Sequence, residues 1–269
     1  MNSVPAPDAQ ALTAIAAATA REVGQHLLQW RRAQVSVASD TKSGPTDVVT
    51  TADREAESMI RRRLLAAYPD AGWWGEESGR ATGSGAELEW VVDPIDGTVN
   101  FLYDLPGWAV SIAAVWQGEV IGAAVMVPTT GTLFSASQQM GAWLDDEAGR
   151  RPLHPSRCHD LTQALVATGF AYDAAVRAEQ GAAVGRLVGQ VRDIRRAGAA
   201  AVDLCSVAAG RVDAFFERSL QPWDRAAGGF IAREAGAVVT ERDDGSVAAS
   251  GPALAGSFEE LLVEVGAWP

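Results

Sequence analysis

The chain has 269 residues, enough for one large domain or two modest ones, and its 48% hydrophobic content supports a substantial core rather than disorder. Its formal charge of −12, from 22 basic and 34 acidic residues, argues against unassisted binding to nucleic acid or an anionic membrane and means that an anionic substrate would need cations in its site. The two cysteines, Cys158 and Cys205, form no C-x-x-C pair, so neither a disulfide framework nor a thiolate zinc site is indicated and a reducing cytoplasm fits best.

Taken in chain order, the first element is a helix over about 8–34, with Leu12, Ile15, Ala16, Ala20, Val23 and Leu27 at helical spacing and Arg31 and Arg32 in the last turn. Its apolar run 11–20 has no basic leader and stops at Arg21, well short of a membrane span. Residues 41–47 carry Gly-Pro among small polar residues and read as a loop that contains Lys42, the one lysine of the chain. A second helix is expected over Thr51–Tyr68, with Asp53 in its first turn, where a carboxylate also suits the helix dipole. Trp73 and Trp74 then form an aromatic strand entering the acidic turn Gly75-Glu76-Glu77-Ser78.

The apolar run Trp90-Val91-Val92 stops at Asp93-Pro94-Ile95-Asp96-Gly97-Thr98, and Pro94 is expected to end the strand in a turn. Two carboxylates three apart beside a glycine suit a divalent cation next to a phosphate, although Asp-Gly alone more often marks a surface turn. Strands over 108–116, 120–127 and 132–137 make an antiparallel meander, and the charged segment 145–155 divides the chain into an N-terminal α+β half, 1–150, and a C-terminal α/β half, 151–269, of one structural unit. The second half alternates strands at 165–168, 193–196, 212–217 and 238–240 with helices at 174–191, 199–209 and from Gln221 to Glu234. Asp224 is read there as a carboxylate at a helix start, in the manner of an N-cap. Calcium-loop spacing fails, because Ile95 and Gly97 stand where acids are wanted, and there is no Gly-Lys-Ser/Thr of a Walker loop.

Glu76, Asp93, Asp96 and Asp224 thus bring four acids from three turns. The motifs Gly75-Glu76-Glu77-Ser78, Asp93-Pro94-Ile95-Asp96-Gly97-Thr98 and Trp223-Asp224-x-Ala-Ala-Gly, with Asp47-x-x-Thr50-x-x-Asp53 upstream, resemble those of the inositol monophosphatase family in the same order. The resemblance spans roughly 42–236. It implies a layered αβαβα sandwich, of the inositol monophosphatase and fructose-1,6-bisphosphatase type, that works as a homodimeric, lithium-sensitive, Mg²⁺-dependent phosphomonoesterase.

Carried over residue by residue, the resemblance places one Mg²⁺ on Glu76, Asp93 and the carbonyl of Ile95, a second on Asp93, Asp96 and Asp224, and a third, weaker one on Glu76 with waters. It makes Glu76 and Thr98 the residues that orient and deprotonate the attacking water, with Asp53 holding the Thr98 hydroxyl. The Gly97 and Thr98 amides would bind phosphate, while Gly198, Ala199, Ala200 and Glu217, together with Asp96 and Asp224, would contact substrate. Lys42 and Asp47 would support the metals from outside. Many family members carry Gly-Thr-Ala where this chain has Gly198-Ala199-Ala200, and loss of that hydroxyl can alter substrate preference by ~1–2 kcal/mol. Val99-Asn100-Phe101 resembles the inositol branch. Histidinol phosphate, 3′-phosphoadenosine nucleotides and fructose bisphosphate stand as the other substrates, and a non-catalytic metal- or RNA-polymerase-binding module as the reading of another class.

Overall fold

The computed structural model describes residues 6–33, 39–44, 47–81 and 86–268, with the backbone alone for 39–44 and 47–50. In chain order the elements are α1 (Ala9–Ala33), β1 (Ser39–Gly44), β2 (Asp47–Thr50), α2 (Thr51–Ala67), β3 (Gly72–Gly75), β4 (Gly79–Arg80), β5 (Leu88–Asp96), α3 (Thr98–Leu102), β6 (Ala109–Trp116), β7 (Glu119–Val127), β8 (Thr132–Ser137), β9 (Ala142–Asp146) and β10 (Gly149–Pro152). There follow β11 (Leu165–Thr168), α4 (Ala174–Leu187), β12 (Asp193–Arg195), α5 (Ala200–Ala208), β13 (Ala214–Glu217), α6 (Pro222–Glu234), β14 (Val238–Glu241), β15 (Val247–Ser250) and α7 (Ala255–Glu264).

Among the described residues an eight-stranded sheet runs β10-β9-β8-β7-β6-β5-β3-β4, and a five-stranded sheet runs β12-β11-β13-β15-β14. The larger sheet is antiparallel except where β3 lies parallel to β5, and the smaller one is parallel from β12 through β11 to β13 and antiparallel beyond.

Strand alternation divides the core into three apolar layers. On β6, Val110, Ile112 and Ala114 pack with Leu12, Ala16 and Leu27 of α1 and Ala56 and Ile60 of α2. Ala109 and Ala113, pointing the other way, pack with Leu204 of α5 and Ile231 of α6, a layer that also receives Ala167, Phe215 and Ala249 of the smaller sheet. The far face of that sheet, through Val166, Phe216 and Ala248, closes on Leu187 of α4 and Phe258 and Leu262 of α7. The result is the expected αβαβα sandwich. Because both sheets are covered on both faces, their central strands read as continuous apolar runs rather than as an alternation of apolar and polar residues. Helices α5 and α6 meet closely: a Cβ at Gly228 would stand 3.0 Å from the Ala201 carbonyl oxygen and 2.9 Å from Leu204 Cβ.

Several sequence expectations are corrected. Of residues 41–47, read as a loop, 41–44 lie in β1 and 47 in β2, two strands that pair antiparallel with Ser39 opposite Thr50 and Gly44 opposite Asp47, while 45–46 lie outside the described residues. Segment 145–155 opens as the β9/β10 hairpin at the edge of the larger sheet, so the connection between the sheets is the later run 153–164. Helix α4 stops at Leu187 rather than 191, and β15 and α7 were not anticipated.

Pro94 does not end its strand. Asp93 pairs with Ser111 and Asp96 with Ala109, so Pro94 and Ile95 together oppose the single residue Val110. A bulge accommodates a proline that has no N–H to give to the ladder.

Candidate active site

That bulge sets the geometry of the site. In a regular strand, residues three apart point to opposite faces; the extra residue restores the phase, and Asp93 and Asp96 both face the α5/α6 layer. Asp93 Oδ1 accepts the Ile95 N–H at 2.9 Å, which stabilises the bulge locally. Ile95 buries its side chain toward α1 and α2, and its carbonyl accepts the Thr98 hydroxyl at 3.1 Å.

Gly97 adopts φ +89°, a conformation that favours glycine, and turns the chain into α3. A Cβ there would lie 3.1 Å from both the Gly198 carbonyl oxygen and Ala199 Cβ. Thr98 follows, with its hydroxyl also 3.3 Å from Oδ1 of the fully buried Asp53 on α2.

Glu76 enters from the turn after β3, where its N–H donates to the Val92 carbonyl at 3.1 Å. The next two amides, of Glu77 and Ser78, donate to the buried Glu57 at 2.7 and 3.0 Å. Asp224 is at the third position of α6 rather than at its cap: Gln221 caps the helix, and Asp224 Oδ2 accepts the Gln221 N–H at 2.7 Å in a capping box. Trp223 beside it packs edge-on against Trp74, with ring centroids 6.3 Å apart, and Ser111 Oγ reaches the Trp223 carbonyl at 3.4 Å.

Asp96 also ties two layers together. Its Oδ2 accepts the Ala201 N–H at 2.7 Å, in the first turn of α5. The N-cap of α5 is Ala199, which has no side-chain oxygen, so a carboxylate from the neighbouring sheet supplies what the local sequence lacks.

These groups line one cavity of about 350 Å³, walled by Glu76, Asp93, Ile95, Asp96, Gly97, Thr98, Gly198, Ala200, Glu217 and Asp224. Asp53 and Ala199 are not part of its wall and stand behind it. The side chains of Lys42 and Asp47 lie outside the described residues. Arg196, Tyr172 and Trp223 also line the cavity and were not anticipated. Nor were Glu57, Asn100 as a structural tie, or the buried Asp203. Asn100 Nδ2 donates to the carbonyls of Gly107 and Ala197 at 2.9 and 2.8 Å, fixing the approach to Gly198. The spacing of Asp53 and Glu57, one helical turn apart, was the available signal for Glu57. Arg196 and Asp203 have none.

The electrostatics are those of an anion-crowded cleft. Burial, then repulsion from Glu76, Asp96 and Asp224, holds the Asp93 carboxyl well above its usual range. Burial and Asp224 do the same to Asp96, against the opposing Ala201 hydrogen bond. Glu217 is pushed up to about 8 by burial and by Asp224 and Asp203, with Arg196 opposing. Among the described residues no three of these acids close into a ready-made ion cage. The donor set is nonetheless all hard oxygen, with no histidine or cysteine, which suits Mg²⁺, an ion that keeps several waters and shares substrate oxygens. A cation in the cleft would relieve the repulsion that raises the Asp93 and Asp96 pKa values.

The sequence profile of the inositol monophosphatase family matches residues 8–265. The chain is 42% identical over 250 residues to the inositol-1-monophosphatase of Mycobacterium leprae, covering 88% of this chain and 86% of that protein. It is 40% identical over 232 residues to the Nus factor SuhB of Escherichia coli K12, covering 84% of each. The solved structure of Mycobacterium tuberculosis SuhB superposes with a TM-score of 0.85 at 37% identity, over 97% of this chain and 98% of that one. With a match over nearly its whole length, a shared layered fold and the acid-lined cleft, this chain belongs to the inositol monophosphatase family.

Proposed function

We propose that this protein hydrolyses inositol monophosphate to inositol and inorganic phosphate in a Mg²⁺-dependent reaction. The observation that carries the reading is the bulge in β5, which turns Asp93 and Asp96 to one face, toward the cavity that Glu76, Thr98 and Asp224 also line. Glu76, Asp93 and the Ile95 carbonyl would hold one ion, Asp93, Asp96 and Asp224 a second, and Glu76 a weaker third. The bound ions supply Lewis-acid charge for water activation and for neutralising the leaving alkoxide.

The chain's own groups do the rest. Thr98 Oγ, held between Asp53 and the Ile95 carbonyl, orients the attacking water, and the Glu76 carboxylate takes its proton. The amides of Gly97 and Thr98 face the phosphate oxygens. The backbone at Gly198 and Ala200 and the side chain of Glu217 receive the alcohol portion, and the family resemblance would give Lys42 and Asp47 a supporting role toward the metals. The reading includes lithium sensitivity and a homodimer in the reducing cytoplasm, where free Cys158 and Cys205 are at home. No helix among the described residues is long and apolar enough to cross a membrane. The net charge of −12 supports a small phosphomonoester rather than nucleic acid or an anionic membrane as partner.

A second reading, a metal- or RNA-polymerase-binding module without catalysis, draws on the relative named a Nus factor. The full set of acids and the Thr98–Asp53 pair favour the enzyme. Measuring kcat/KM for myo-inositol 1-phosphate beside L-histidinol phosphate tests the substrate, with the inositol ester expected to be clearly preferred. Preference for histidinol phosphate would overturn the substrate assignment, and no phosphate release from any polyol phosphate with Mg²⁺ would favour the binding module.

A further inference from the structure

Glu57 stands one helical turn after Asp53 on α2, so the two carboxylates share a face of that helix. Asp53 reaches Thr98. Glu57, 4% exposed, reaches the opposite flank of the cleft: Oε2 accepts the Glu77 N–H at 2.7 Å and Oε1 the Ser78 N–H at 3.0 Å. The same carboxylate lies against Gly75, where a Cβ would come within 2.5 Å of Oε2. A side chain at 75 would have to displace this carboxylate from its two amides, so the turn and the carboxylate are matched in shape as well as in hydrogen bonding. Trp73 Nε1 closes the turn by donating to Ser78 Oγ at 3.0 Å. Glu76 is thus enclosed between Gly75, pressed on the carboxylate, and two amides bonded to it.

The geometry points to Glu57 as a positioning residue that acts through Glu76. Hydrogen bonds from backbone N–H groups to a buried carboxylate are among the stronger ones, and two of them fix both the place and the tilt of a turn. Through Asp53 and Glu57, one rigid helix sets the separation between Thr98 and Glu76, the pair that flanks the attacking water. A ligand whose backbone is loosely held binds metal weakly, and partners that orient ligands typically matter by about 10- to 100-fold in affinity.

This inference rests on the reading of Glu76 as a metal-holding group, so its test separates the two. Titration calorimetry of substrate-free protein with Mn²⁺ reads metal binding directly, beside the Mg²⁺ half-saturation of phosphate release. Glu57→Gln keeps the size but turns an NH₂ toward one of the two N–H donors. It is expected to weaken Mn²⁺ binding about tenfold and to raise the Mg²⁺ half-saturation in parallel. KM for substrate at saturating Mg²⁺ should be unchanged. In a Glu76→Gln background, Glu57→Gln should add no further loss, because its route runs through Glu76. Additive losses, or Mn²⁺ affinity left unchanged by Glu57→Gln when the wild type binds Mn²⁺ and releases phosphate, would overturn the inference and leave the function standing. A wild type that neither binds Mn²⁺ nor releases phosphate would overturn both.

Discussion

Asp93 lies opposite Ser111 and Asp96 opposite Ala109, so two acids three apart along β5 occupy positions only two apart along β6 and share a face. Asp96 then lines the acid-walled cavity and accepts the Ala201 N–H in the first turn of α5 at once. Asp96→Asn keeps an oxygen for the Ala201 N–H and removes a charge that burial and Asp224 disfavour. It is expected to lower kcat/KM by at least ~100-fold, about 2.7 kcal/mol, while raising the Tm of the metal-free protein. Thermal unfolding in EDTA checks the second half; a marked drop in Tm would mean that Asp96 matters chiefly for folding.

Metal-free stability should fall as pH rises. Burial lifts Glu217 from 4.5 to about 8 and Asp203 from 3.8 to about 7. A carboxyl whose folded pKa exceeds its unfolded one binds its proton more tightly when folded. Its contribution is complete below the unfolded value and is lost as pH climbs to the folded one. In EDTA, Tm should therefore decline from about pH 5 to about pH 8, and Glu217→Gln should flatten the decline. A level Tm across that range would contradict the assignment.

Asn100 joins two loops at the substrate end through the carbonyls of Gly107 and Ala197. Asn100→Ala frees both carbonyls and the path to Gly198, at a cost of about 1–3 kcal/mol in stability. Steady-state kinetics should register it mainly as a higher KM, with kcat changed less. Unchanged KM would remove Asn100 from the positioning of the substrate loop.

Gly97→Ala places a Cβ at φ +89° against the Gly198 carbonyl and Ala199. The strain of that conformation costs about 1–3 kcal/mol. Urea unfolding should show that loss together with weaker activity, since Gly97 is the hinge between Asp96 and Thr98.

Much of this arrangement was legible in the chain. Helical spacing located α1 and α2 within a residue or so, because their buried faces are long and regular. The acids Glu76, Asp93, Asp96 and Asp224 stand in short motifs whose residue types are tied to their chemistry. Part of what escaped was set by partners distant in sequence. Pro94 argues locally for a turn, and only pairing with β6 turns that irregularity into a bulge. Asp224 looks like a cap until Gln221 is seen to cap α6 instead. Glu57 and Asn100 read as ordinary polar residues, because the backbone groups they reach at Glu77 and Ala197 lie 20 and 97 positions away. The strand β15 and helix α7 are built from short apolar stretches whose pattern fixes neither type nor ends.

The most direct measurement is phosphate release from myo-inositol 1-phosphate by the purified protein, with Mg²⁺ and after its removal by EDTA. The account predicts turnover with Mg²⁺, none without it, and recovery when the ion is restored. Equal turnover in EDTA, or none in either condition, would contradict it.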